Sequence, residues 1–285
     1  MTSAVSPPAE RERRSLRLPI LGIMVAIAIT STMDAIGLTE FSALPLFPLM
    51  LLFWRIQRLS GWSLGFTWGR SQDYGLALLY PVLVIGSVTL IAWVARALQP
   101  ESANWGKVCA NVALVAFSTT LVAIITEEGF FRGWLWGSLA RAGKDQGGIL
   151  IGTSIAFALW HISAVTFKTG FGYELPPAQV PLFVLNAALI GAAWGLVRAI
   201  SGSIIVSSVS HGIWNGLAYV LFGFGTRVGA LGVKDTALFG PEVGVLGLLL
   251  NLIYVAVLWR WWRVRSSAPL VPSARVVGTS SEPMR

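Results

Sequence analysis

Apolar stretches close to the length of a membrane crossing recur along this chain of 285 residues, each separated from the next by a short polar loop. About 20 consecutive apolar residues suffice for a helix to cross a bilayer. Charged residues make up only 12% of the chain, about half the share usual in soluble domains, and the mean hydropathy is +0.70. Such a chain has too little polar surface to cover a water-facing globule. It reads as an all-α, polytopic transmembrane helical bundle.

The expected spans are 18–38, 74–95, 108–139, 149–166, 181–198, 203–222 and 243–260, with an eighth at 41–54. That last stretch, FSALPLFPLMLLFW, is short and contains Pro45 and Pro48. It reads either as a kinked span or as an interfacial segment, giving eight membrane helices or seven. The chain thus divides into a basic cytoplasmic N-terminal segment (1–17), N-terminal membrane helices and loops (18–107), a membrane core (108–222), a loop with the last helix (223–265) and a disordered tail (266–285), rich in Ser, Pro and Gly. The first span shows no clear small-residue cleavage site and is expected to be retained.

The formal net charge of +8 is explained by topology. With eight spans, fifteen of the 21 Lys and Arg residues fall on the side of the N-terminus and five on the other, Arg132 lying between. That split follows the positive-inside rule with both termini in the cytoplasm. The expected location is integral to a membrane, the bacterial inner membrane, with no nucleic-acid partner. The single cysteine, Cys109, lies in an apolar run and is expected to be a small buried hydrophobe.

Against this apolar background a few polar residues stand out. The only two histidines, His161 and His211, both lie in spans, and EEGFFR places Glu127, Glu128 and Arg132 inside the long stretch 108–139. Ionisable groups within a membrane helix are costly and mark functional sites by default. Glu128 and Arg132, four apart, can pair along one helix face, while Glu127 points about 100° away. His211 and Asn215 share a face at the same spacing, as do Phe157 and His161. Glu127 lies 17 residues before the turn at Lys144 and His161 lies 17 after it. At 1.5 Å per residue both fall about 18 Å from the cytoplasmic ends of their helices, with His211 about 14 Å deep. Three helices therefore bring Glu127, His161 and His211 to one level.

A carboxylate, two imidazoles and an amide at one depth suit water activation against a carbonyl. Glu127 is the candidate general base. His161 is placed to orient the water, share its proton or hold a metal. His211 and Asn215 are candidate donors to a developing oxyanion, and Arg132 would hold Glu128 fixed. Glu127, His161 and His211 are also a credible zinc set, although no contiguous HExxH is present. The residues leave both readings open: no cofactor, or one divalent metal such as zinc. Serines near His211 lack the GxSxG context.

In this order, EExxxR at Glu127–Arg132, FxxxH at Phe157–His161 and HxxxN at His211–Asn215 resemble the CPBP family, the CAAX protease and bacteriocin-processing group. The similarity covers roughly 108–222 and extends loosely to SLGFTWGR at 63–70. It implies an intramembrane endopeptidase acting on a protein or peptide substrate at the lipid bilayer. Glu127 would activate water, His161 share it, and His211 and Asn215 surround the oxyanion, with Glu128, Arg132 and Phe157 in support. Family members are described both as metalloproteases and as glutamate-dependent proteases, so the metal stays open there too. The competing expectation is a non-proteolytic membrane protein: a transporter, or an immunity or scaffold protein retaining the fold. Apart from Asp34, near a span end, no further securely buried charge is expected to build a transport path.

Overall fold

The computed structural model describes residues 15–100, 103–167 and 172–267. The expected basic segment, apart from residues 15–17, and the expected tail, apart from residues 266 and 267, lie outside them. The long helices are α1 (Arg17–Ala35), α2 (Leu46–Gln57), α3 (Ser71–Val94), α4 (Trp105–Ile125), α5 (Trp136–Arg141, continuing α4 after a π-helical segment Glu128–Leu135), α6 (Gln146–Trp160), α7 (Val180–Ser201), α8 (Ile204–Leu217) and α9 (Val245–Ser267). A hairpin of two-residue strands, β1 (Gly223–Phe224) and β2 (Arg227–Val228), follows a second short π-helical segment, Ala218–Phe222.

Among the described residues eight segments are long and apolar enough to cross a membrane, and Thr39–Gln57 is one of them. The two prolines expected to kink that segment do not sit mid-helix. Pro45 is the N-cap of α2 and Pro48 lies in its first turn, where a missing N–H costs nothing. Large apolar side chains face outward around the bundle, including Leu78, Leu83, Leu114, Phe117, Ile151, Leu185 and Leu252. Cys109 shares that outward face on α4 and is exposed, contrary to the buried position expected of it. The reason is that α4 is the outer member of its pair and presents little of its surface to the bundle.

Polar N-caps start the helices that carry the centre. Asn104, Asp145 and Ser203 side chains accept first-turn amides of α4, α6 and α8, satisfying donors that a helix start leaves free. The loop 63–70 folds onto the α7–α8 turn. Gly65, at φ +76°, accepts the Ile204 amide at 2.9 Å, and the Ser203 hydroxyl donates to the Thr67 carbonyl.

Helix α8 packs most extensively on α4, and α7 on α6 and α9. The α4–α8 contact depends on two glycines four residues apart. A Cβ on Gly212 would strike the Ala116 carbonyl and Thr120, and one on Gly216 would come within 2.6 Å of the Val112 carbonyl. Small residues at this spacing allow close approach of helix backbones. Each glycine directly follows a residue of the HxxxN pair, so the contact that seats α8 also fixes His211 and Asn215 against α4.

Candidate active site

The stretch 108–139 is one run by hydropathy but three helices in space. α4 ends at Ile125, Thr126 leaves helical geometry at φ −102° and ψ −99°, and the π-helical turn begins at Glu128. π-Helical turns that interrupt α-helices are frequent at functional sites. Glu128 and Arg132 are both fully buried there, and Glu128 Oε1 lies 3.1 Å from Arg132 Nη1.

Every polar atom of the Glu128 carboxylate is engaged. Oε1 also faces His211 Nδ1 at 3.2 Å, and Oε2 accepts the Ser207 hydroxyl at 2.5 Å. Because a carboxylate paired with arginine only accepts, the proton of this contact resides on His211 Nδ1. Arg132 is held further by donation from Nη2 to the Gly191 carbonyl at 3.0 Å and lies 4.2 Å from the Phe157 ring centre, within cation–π range.

Phe157 therefore serves two neighbours. Its ring meets His161 at 4.4 Å between centres, edge-on at 60° rather than stacked. Its carbonyl accepts from His161 Nδ1 at 2.8 Å. A carbonyl cannot donate, so His161 carries its proton on Nδ1 and in the neutral ring presents a bare Nε2. The position at the end of α6 matters here: Trp160 closes the helix and a separate turn, Ile162–Thr166, follows.

Glu127, although it points away from Glu128 on the helix, meets the same histidine that Glu128 holds. Its Oε2 stands 3.9 Å from His161 Nε2 and 3.9 Å from His211 Nε2. His211 is thus gripped at one nitrogen by Glu128 and faced at the other by Glu127, with its ring stacked on Trp194 at 3.8 Å and 16°. A cavity of about 60 Å³ opens among Glu127, Phe157, His161, His211 and Asn215, completed by Trp194, Tyr219 and Glu242. The residues expected from sequence are therefore brought together.

Four participants were not expected, Tyr219 at the cavity wall among them. Ser207 gave no signal among many serines, Trp194 none among 13 tryptophans, and Glu242 lies in a loop between spans. Buried charge is also wider than expected: Asp73, Arg198 and Glu242 are buried besides Asp34. Asp34 accepts the Ser163 hydroxyl at 2.6 Å, which ties α1 to the turn after His161.

The donor set is a poor fit for zinc. Bonds of 2.0–2.2 Å put neighbouring tetrahedral donors about 3.4 Å apart, less than the 3.9 Å separating Glu127 Oε2 from each histidine. Among the described residues no group of three or more His, Cys, Asp or Glu side chains is arranged to hold a metal ion.

The fold and site define a polytopic, all-helical membrane protein with a glutamate–histidine–arginine cluster buried in its bundle. Residues 109–217 match the family model described as Type II CAAX prenyl endopeptidase Rce1-like. The resemblance carried by the three motifs is borne out over that stretch, which holds Glu127, Glu128, Arg132, Phe157, His161, His211 and Asn215. No curated protein matches the chain.

Proposed function

We propose that this protein is an intramembrane endopeptidase that hydrolyses a peptide bond with water activated by Glu127. The observation that carries the reading is the 3.9 Å separation of Glu127 Oε2 from the Nε2 atoms of both histidines. Glu127 Oε2 and the bare Nε2 of His161 are both acceptors, too far apart to bond directly. One water donating to each at about 2.8 Å would subtend about 90°, near its own H–O–H angle. Its lone pairs are then free for a carbonyl carbon, and Glu127 takes the proton as the C–O bond forms. His211, held through Nδ1 by Glu128, donates from Nε2 as an imidazolium to the oxyanion, beside the amide of Asn215. Glu128, Arg132 and Phe157 position these groups and take no proton. No step passes through a metal.

The substrate is a protein or peptide held at the membrane. The matched family description names prenyl endopeptidases, so a C-terminal peptide carrying a prenylated cysteine is the first class to test. The charge split supports a location with both termini on the cytoplasmic side of a bacterial inner membrane. The test is cleavage in liposomes of prenylated and unprenylated peptides by wild type, Glu127→Ala and His211→Ala. Cleavage lost in both variants supports the reading. Full cleavage retained in both variants would sink this mechanism.

A further inference from the structure

Glu242 is the second carboxylate lining the cavity, after Glu127, on a segment outside the stretch matched to the family model. It belongs to the loop between Ala218–Phe222 and α9, yet it is buried. A chain of hydrogen bonds across four helices holds it there. Asn186 Nδ2 on α7 donates to the carbonyls of Pro241 and Glu242 at 2.8 and 2.9 Å. Asn251 Nδ2 on α9 donates to Asn186 Oδ1 at 2.8 Å, and the Tyr80 hydroxyl on α3 donates to Asn251 Oδ1 at 2.7 Å. Trp214 Nε1 on α8 then donates to Glu242 Oε1 at 2.6 Å. Burying such a network is costly unless every member is satisfied, and what this one accomplishes is to deliver one carboxyl group to the cavity.

The surroundings of Glu242 and Glu128 are opposite. Glu128 has an arginine, a serine hydroxyl and a histidine N–H. Glu242 makes no ion pair among the described residues, and Trp214 alone donates to its side chain there. Burial, with Glu127 nearby, pushes its carboxyl up to about 7, against weaker opposing effects of Trp214 and His211. Tyr219 and Tyr80 also face it, as does His161 across the cavity. Glu127, the other carboxylate lining the cavity, faces two histidine nitrogens at 3.9 Å, and two carboxyl groups in one site with contrasting environments are how acid and base roles are divided in hydrolases.

We propose that Glu242 is the general acid that protonates the leaving nitrogen, an inference that rests on the endopeptidase reading above. Water gives one proton to Glu127 and its oxygen forms the new bond to the carbonyl carbon. As the tetrahedral species collapses, the C–N bond breaks, its electron pair stays on nitrogen, and the Glu242 carboxyl proton moves to that nitrogen. Glu127 then carries the proton taken from water and Glu242 is ionised. Transfer from Glu127 to Glu242 through water in the cavity restores both.

The test compares Glu242→Gln with wild type on two substrates of one acyl sequence, a peptide amide and a nitrophenyl ester whose leaving group needs no proton. Gln keeps an acceptor for Trp214. The expected result is a fall of about 10²-fold or more in kcat on the amide with ester hydrolysis within about threefold, and loss of the alkaline decline in amide cleavage. Equal rates on the amide, or equal losses on both substrates, would overturn the assignment. Glu127→Gln separates the two readings, since it must abolish cleavage of both substrates. Glu127-dependent cleavage with an unaffected Glu242→Gln sinks only the acid, whereas wild-type cleavage independent of Glu127 sinks both.

Discussion

Glu128 and His211, 83 residues apart in sequence, meet at 3.2 Å between Oε1 and Nδ1, both buried. This contact turns the second glutamate of the EExxxR motif into the device that orients a histidine of another helix. The first glutamate is left to face both Nε2 atoms. Two adjacent carboxylates thereby acquire different surroundings from a single turn of π-helix.

The Glu128–Arg132 pair is expected to be essential to the fold. Removing one member of a buried ion pair leaves an uncompensated charge and costs about 3–5 kcal/mol. Arg132→Met should therefore lower the melting temperature in detergent sharply. Combined with Glu128→Gln, part of that loss should return, because no carboxylate is then stranded. A single variant as stable as wild type would contradict the pairing.

Ser207→Ala removes one donor from a charged acceptor, a change of about 1.5–3 kcal/mol. The protein should stay folded, and cleavage should fall because Glu128 then holds His211 less firmly. Thermal melting and kcat measured on one preparation check this. Unchanged kcat would remove Ser207 from the supporting set.

Glu242 makes stability depend on pH. Its carboxyl is raised from 4.5 to about 7 by burial. A raised acid contributes its stability in full below the unfolded value, and that stability is lost as pH rises from about 4.5 through about 7. The loss amounts to about 3 kcal/mol at most. Wild type should thus melt lower at pH 8 than at pH 5, and Glu242→Gln should flatten the difference. Parallel pH profiles for the two proteins would contradict a buried, unpaired carboxyl.

Gly212 has no room for a side chain against Ala116 and Thr120. Gly212→Ala should cost about 1–3 kcal/mol by overpacking and depress cleavage more than stability, since His211 is the adjacent residue. A melting curve and rate equal to wild type would show that α4 and α8 are not in this close contact.

Much of this arrangement was legible before any coordinates. Hydropathy exposed eight apolar segments because membrane helices need length and little else. The convergence of Glu127, His161 and His211 followed from counting residues on antiparallel helices, for which 1.5 Å per residue is an adequate ruler. The break at Thr126 was not legible, because a broken helix and a continuous one have the same hydropathy. Pro45 and Pro48 leave a kinked span and an interfacial segment both open in the sequence, because sequence does not reveal where α2 begins. Glu242 was missed for a different reason: it lies outside every apolar window, and a loop that folds back into the bundle looks like any other loop. Cys109 shows the converse limit, since an apolar neighbourhood does not distinguish the bundle interior from the outward face.

The central claim is that Glu127 activates the attacking water beside His161 and His211. Its most direct test is the rate of peptide hydrolysis by Glu127→Gln in the liposomes that support wild-type cleavage, with folding verified by melting. Gln keeps the size and hydrogen-bonding reach of the side chain and removes its basicity. The account predicts a loss of at least about 10²-fold in kcat. A folded Glu127→Gln protein that cleaves at the wild-type rate would contradict it.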